Sequence, residues 1–121
     1  MIPGELRLVW FPFSRNEAEP YKRRPVLVLA ATGHVPDRAV LVAMVTSNSR
    51  RVLSPGTGDI VVEDWKQAGL RRPSVVRSRR LWTAEERDFE GTVLGAVDPA
   101  VLGQVKQHIQ NLLAPDDLLA P

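Results

Sequence analysis

The sequence predicts a mainly β fold: a small, strongly bent antiparallel sheet or barrel closed off by a C-terminal α-helix. Three observations lead there. Short β-branched and apolar runs recur at close spacing, separated by clusters of Gly, Pro, Ser and Asn. One of these runs, Val26-Leu27-Val28-Leu29-Ala30, is apolar on both faces, as a central strand should be. The one long stretch with three- and four-residue apolar spacing comes last, through Val101, Leu102, Val105, Ile109, Leu112 and Leu113.

Each element has a local reason. Residues 5–12 alternate charged residues with Leu6 and Leu8, turn fully apolar, and end at Pro12. Residues 14–23 are polar and aperiodic, which reads as a loop. The second strand, 25–31, opens on Pro25, whose missing N–H costs least at a strand start. In the third, 39–46, Val40, Val42, Met44 and Thr46 share one face and Leu41, Ala43 and Val45 the other. It stops at Ser47-Asn48-Ser49, where short polar side chains compete for the backbone. After a loop at 54–58, residues 59–63 form a short strand.

Asp64-Trp65-Lys66-Gln67 has the form of a helix cap, and Gly69 can close that single turn. Residues 74–80 alternate as a strand with one polar face. Thr83 with Glu86 reads as a capping box, and 91–97 as a last strand. Asp98-Pro99 starts the terminal helix, an N-cap followed by proline in the first turn. The expected organisation is one domain over 1–114 and a frayed tail over 115–121, where prolines and aspartates gather.

Composition bounds the chemistry. With 121 residues, 44% apolar and 25% charged, the chain suits one core and a soluble class. It has no cysteine, which excludes disulfides, thiol nucleophiles and thiolate zinc sites. No secretory-type leader and no apolar run of membrane-spanning length is evident, so the expected setting is cytoplasmic and without membrane contact. Net charge is only +2, but its distribution is uneven. Five arginines and no acid lie between Arg71 and Arg80, and Lys22-Arg23-Arg24 is a second basic cluster. The acids Glu17, Glu19, Asp59, Glu63, Asp64, Glu85 and Glu86 sit elsewhere. Local basic patches on a nearly balanced chain point to an anionic partner bound in one groove.

No HExxH, glycine-rich phosphate loop or nucleophile elbow is present, and the two histidines, His34 and His108, carry no motif. Of Trp10, Trp65 and Trp82, core packing suits at least two, and stacking on bases is the alternative. What remains is arginine, hydroxyl and carboxylate: Glu19, Arg24, Thr46, Ser47 and Arg77. Arg23 and Arg24 stand at a strand mouth, where a guanidinium can grip a phosphate or simply meet water. Thr46 and Ser47 can cap the backbone or touch a ligand. Arg77, mid-strand, must reach water, an acid or a ligand, because a lone buried charge is very costly.

In order and spacing these fragments resemble the MazF/PemK family of toxin endoribonucleases. The resemblance runs from Gly4-Glu5-Leu6 through Glu19 and Arg24-Pro25-Val26-Leu27-Val28. It continues through Val45-Thr46-Ser47-Asn48 and Ser74-Val75-Val76-Arg77 to the terminal helix. It implies an SH3-like antiparallel barrel with short helical turns and a C-terminal helix, assembled as a homodimer. It implies metal-independent, cofactor-free cleavage of single-stranded RNA at short sequence motifs, leaving 2′,3′-cyclic phosphate and 5′-hydroxyl ends. By the same resemblance Arg24, Thr46 and Arg77 fall on catalytic positions, and Glu19 is the candidate proton acceptor. Lys22, Arg23, Ser47, Asn48, Ser74 and Arg79 become candidate RNA contacts, and an acidic, partly apolar antitoxin peptide the expected partner. Two positions depart from the family pattern. Arg79 stands where PemK-type members carry an aspartate, and Ala18 where some carry a histidine. The alternative reading is a non-enzymatic RNA- or protein-binding module on the same barrel, as in gyrase-poisoning toxins.

Overall fold

The computed structural model describes residues 1–11, 22–34 and 37–114. Six strands form one antiparallel sheet: β1 (Glu5–Phe11), β2 (Lys22–Thr32), β3 (Ala39–Thr46), β4 (Asp59–Val62), β5 (Ser74–Glu85) and β6 (Phe89–Ala96). A short helix, α1 (Ser49–Leu53), joins β3 to β4, and the helix α2 (Pro99–Leu113) follows β6. Strand order is β4-β5-β3-β2-β1-β6, so β4 and β6 are the two edges. The expected barrel is therefore an open, bent sheet whose edges are not hydrogen-bonded to each other.

Face parity makes two cores. Leu6, Leu27, Leu29, Ala43, Val45, Val62 and Val76 point to one side and meet α2, whose Val105 is fully buried. Val9, Val26, Val28, Val40 and Val42 point to the other, with Met44, Trp82 and Phe89 packed beside them. Trp82 also meets Phe11 edge to face at 5.0 Å between ring centres. The alternation expected for 39–46 is the observed one: Val40, Val42 and Met44 lie in the second core and Ala43 and Val45 in the first.

Two devices bend the sheet. On β5, Leu81 pairs with Ala43 and Arg77 with the adjacent Met44, so residues 78–80 bulge out of the ladder. The bulge breaks the period-2 pattern, which is why the expected strand stopped at 80 while β5 runs on to Glu85. It also displaces the capping box. The observed box joins Glu85 and Asp88 around a 3₁₀ turn, Glu86–Asp88, with the Glu85 N–H donating to Asp88 Oδ2 at 2.9 Å.

The second device is a seam. The turn at 64–69, in which Ala68 N–H donates to the Asp64 carbonyl at 2.9 Å, lies against β6. Gly69 has φ +91°, and a Cβ there would fall 2.0 Å from the Leu94 carbonyl oxygen. A Cβ on Gly95 would fall 2.1 Å from the Ala68 carbonyl oxygen. Two facing glycines thus let backbone touch backbone across the gap between the sheet edges.

Asp98 caps α2 as expected, its Oδ1 accepting the Ala100 N–H at 2.8 Å. The apolar stripe covers the first core only as far as Ile109, and Leu112 and Leu113 are exposed. Among the described residues no helix is long and apolar enough to cross a membrane.

Candidate functional site

The site is set by which face each residue occupies. β2 and β3 pair Val26 with Met44, and continuing that register by two residues sets Arg24 beside Thr46. β3 and β5 pair Met44 with Arg77 and Thr46 with Val75. Directly paired residues share a face, as do residues two apart on one strand. Arg24, Thr46 and Arg77 therefore lie on one face, opposite α2, with Thr46 on the strand between the two arginines. Cross-strand neighbours have Cβ atoms roughly 5 Å apart and diagonal ones about 7–8 Å, so long side chains can bridge them.

Arg24 is exposed and has no ion-pair partner among the described residues. The Thr46 Oγ1 accepts the Asn48 N–H at 3.2 Å, which leaves its own proton to donate. Asn48 Oδ1 in turn accepts the Arg50 N–H at 3.0 Å and caps α1, which swings the chain away and leaves Ser47 and Asn48 exposed at the rim. Arg77 is mostly covered, its side chain 23% exposed, and its Nε lies 3.7 Å from Asp59 Oδ1. Burial, and then the charges of Arg51 and Arg80, push its pKa below the ordinary arginine value, against the opposing pull of Asp59. It remains a cation under any physiological condition.

The other expected contacts divide. Arg23 lies on the opposite face from Arg24. It pairs with Glu90 at 3.0 Å and sits over the exposed Trp10 ring at 5.7 Å. Ser74 is buried and its hydroxyl donates to the Arg72 carbonyl at 2.9 Å. Arg79 is exposed in the β5 bulge, its aliphatic stem lying over Gly58. Lys22 opens β2 opposite Phe11, and its side chain is outside the described residues, as is Glu19 altogether.

Two residues of this neighbourhood carried no site signal in the sequence. Arg51, on α1, donates to Asp59 Oδ2 at 3.3 Å, and Asp59 stands directly opposite Arg77 in the β4–β5 ladder. Arg51 falls between the polar cluster at 47–49 and the loop at 54–58, and Asp59 at a strand start. Only the tertiary pairing brings them to Arg77. A concavity of about 570 Å³ lies elsewhere, between β4, the 64–68 turn and the start of α2. Its lining includes Glu63, Asp64 and Asp98, which makes it a poor seat for phosphate.

The family model for the PemK-like, MazF-like toxin of type II toxin–antitoxin systems matches residues 2–113. The chain belongs to that family. A MazE–MazF crystal structure from Deinococcus radiodurans (Form-II) superposes with a TM-score of 0.68 at 21% identity, covering 94% of this chain and 95% of that one. The MazF structure from the same organism (Form-I) gives 0.63 at 23% identity, covering 93% and 96%. An endoribonuclease in complex with its cognate antitoxin, from a mycobacterial species, gives 0.63 at 13% identity, covering 93% and 92%. No curated protein matches the chain. At these identities the structural likeness shows the fold, and the fold of this PemK/MazF-like toxin is the mainly β one expected.

Proposed function

We propose that this PemK/MazF-like toxin is a metal-independent, sequence-specific endoribonuclease that cuts single-stranded RNA. The observation that carries the reading is the common sheet face of Arg24, Thr46 and Arg77. In the reaction the ribose 2′-hydroxyl attacks its own phosphate. The O2′–P bond forms, the P–O5′ bond breaks, and 2′,3′-cyclic phosphate and 5′-hydroxyl ends result. The nucleophile belongs to the substrate, so the protein's work is alignment, charge stabilisation and proton transfer. Arg24 and Arg77 are poor proton donors and excellent partners for the charge that grows on the phosphoryl oxygens. Thr46, between them, donates to a phosphate oxygen or orients the 2′-hydroxyl. Glu19 takes the 2′ proton. Ser47, Asn48, Arg79 and Lys22 contact the flanking nucleotides.

The toxin acts in the cytoplasm as a homodimer, and an antitoxin peptide holds it off by laying acidic and apolar groups over the arginine face and the helix side. Exposed Leu112 and Leu113 at the end of α2 support an apolar interface there. The mycobacterial neighbour and the Form-II Deinococcus neighbour are complexes with an antitoxin, which supports the same kind of partner.

The test is incubation of the purified protein with RNA in EDTA, followed by end analysis. Discrete cuts ending in cyclic phosphate are expected, and their absence removes the nuclease reading. One observation favours a second reading. Arg79 replaces the acid that PemK-type relatives carry, so the face binds phosphate well and is less equipped for proton transfer. On that reading the chain arrests growth while cellular RNA stays intact.

A further inference from the structure

We propose that Asp59 is a positioning residue for Arg77, and that it clamps Arg77 and Arg51 side by side as a phosphate-facing pair. The inference rests on the nuclease reading and names how its second arginine is held. Asp59 faces Arg77 across the β4–β5 ladder. Its carboxylate is 4% exposed, whereas Arg77 is 23% and Arg51 41% exposed. The anion therefore lies underneath and the two cations above it, toward solvent. Oδ2 accepts from Arg51 Nη1 at 3.3 Å and from the Gly56 N–H at 2.9 Å, and Oδ1 lies 3.7 Å from Arg77 Nε.

The approach through Nε matters. At 3.7 Å it is an ion pair and not a hydrogen bond, so the guanidinium N–H groups have no hydrogen-bond partner among the described residues. Those donors suit the paired oxygens of a phosphate. One carboxylate beneath two guanidiniums leaves a local excess of one positive charge. An anion arriving above completes the balance.

Asp59 is itself fixed by its backbone. Its N–H donates to the Gly56 carbonyl at 3.0 Å, closing a turn in which Gly58 takes φ +82°. The Gly58 carbonyl accepts the Ser78 N–H at 2.8 Å, one residue past Arg77. Carboxylate and guanidinium are thus referenced to the same backbone junction. Without the charge of Asp59, Arg51 and Arg77 repel each other and Arg77 has no fixed orientation.

A structural ion pair would also look like this, so the experiment measures dependence on Arg77. Wild type, D59N, R77A and the double variant are compared in cleavage of a single-stranded RNA oligonucleotide. Their affinity for the same oligonucleotide with 2′-deoxyribose at the cut is measured alongside. D59N is expected to lower kcat about tenfold with KM within about twofold, less than the roughly 100-fold that a full 1 Å misplacement can cost. In the R77A background the same change is expected to do nothing beyond about twofold. An equal loss in both backgrounds, or a wild-type rate for D59N, overturns the proposal. Thermal unfolding accompanies each variant. Should D59N fail to fold, D59E keeps the charge, moves it by one methylene, and is read through the same cycle. Failure of the underlying reading looks different: R24A and R77A would both cut at the wild-type rate. If wild type itself does not cut, the nuclease reading on which the proposal rests fails, and the proposal fails with it.

Discussion

Replacing Gly95 with alanine tests the seam that joins the 64–69 turn to β6. The added Cβ would stand 2.1 Å from the Ala68 carbonyl oxygen and 2.6 Å from its carbon. An unstrained C···O contact is about 3.3 Å, so the two backbones must separate by roughly 1 Å. Neither side is a flexible side chain that could swing aside. Overpacking in a tight region costs about 1–3 kcal/mol, and backbone against backbone belongs at the upper end, about 3 kcal/mol. For a domain of this size that lowers Tm by roughly 12 °C, at about 4 °C per kcal/mol. Gly103 supplies the control. It is exposed within α2, and a Cβ there meets nothing within 4 Å. Its change to alanine is expected to raise stability by roughly 0.5–1 kcal/mol through helix propensity and reduced freedom of the unfolded chain. Urea unfolding monitored by tryptophan fluorescence reads both. A Gly95→Ala midpoint within about 0.5 kcal/mol of wild type would refute the claim that the seam is closed by backbone contact.

Three further outcomes are expected. Arg24→Ala lowers kcat for RNA cleavage by about 10²–10³, the usual loss when one preorganised donor to a developing oxyanion is removed, with the circular dichroism spectrum unchanged. Val105→Ala, emptying a fully buried position of α2, lowers the unfolding free energy by about 2–3 kcal/mol, read by the same urea titration. RNA affinity falls with salt, with a log–log slope of about −2 if three phosphates are neutralised, and Arg79→Ala flattens that slope by about 0.7, as measured by fluorescence anisotropy at several chloride concentrations.

How much of this was legible in the sequence follows from the range of each signal. The face of Thr46 could be read directly, because side-chain direction alternates along a strand and residues 39–46 keep the alternation to their end. The cap of α2 was equally plain, because Asp98 acts on the Ala100 N–H two residues away. The helix α1 was not legible. It has five residues and buries none of them, so it leaves no apolar period to detect. Its cause was nonetheless visible as the polar cluster at Ser47-Asn48-Ser49, where Asn48 does take the backbone N–H of Arg50. The bulge at 78–80 hid the second half of β5, since inserted residues reset which positions share a face. The partnership of Arg51, Asp59 and Arg77 was hidden for another reason. It joins a helix and two strands, and no spacing along the chain encodes which acid meets which arginine.

The same cluster sets stability against activity at residue 77, and one substitution exposes the trade. Arg77 is partly desolvated and stands near Arg51 and Arg80, and these effects outweigh the attraction of Asp59, so its pKa is lowered. A cation whose pKa falls on folding is held in its charged form at a cost to the folded state, and that cost is present at all pH values below its folded pKa. Substitution by methionine, similar in length and without charge, removes the cost. It does not strand Asp59, which keeps the Arg51 guanidinium and the Gly56 N–H as donors. Arg77→Met is therefore expected to melt at or above the wild-type temperature while RNA cleavage is lost. A fall of more than roughly 4 °C, equivalent to about 1 kcal/mol, would show that the Arg77–Asp59 pair is a net stabiliser. The arginine would then be explained by folding alone. A stable and inactive variant is what a guanidinium kept for an incoming phosphate requires.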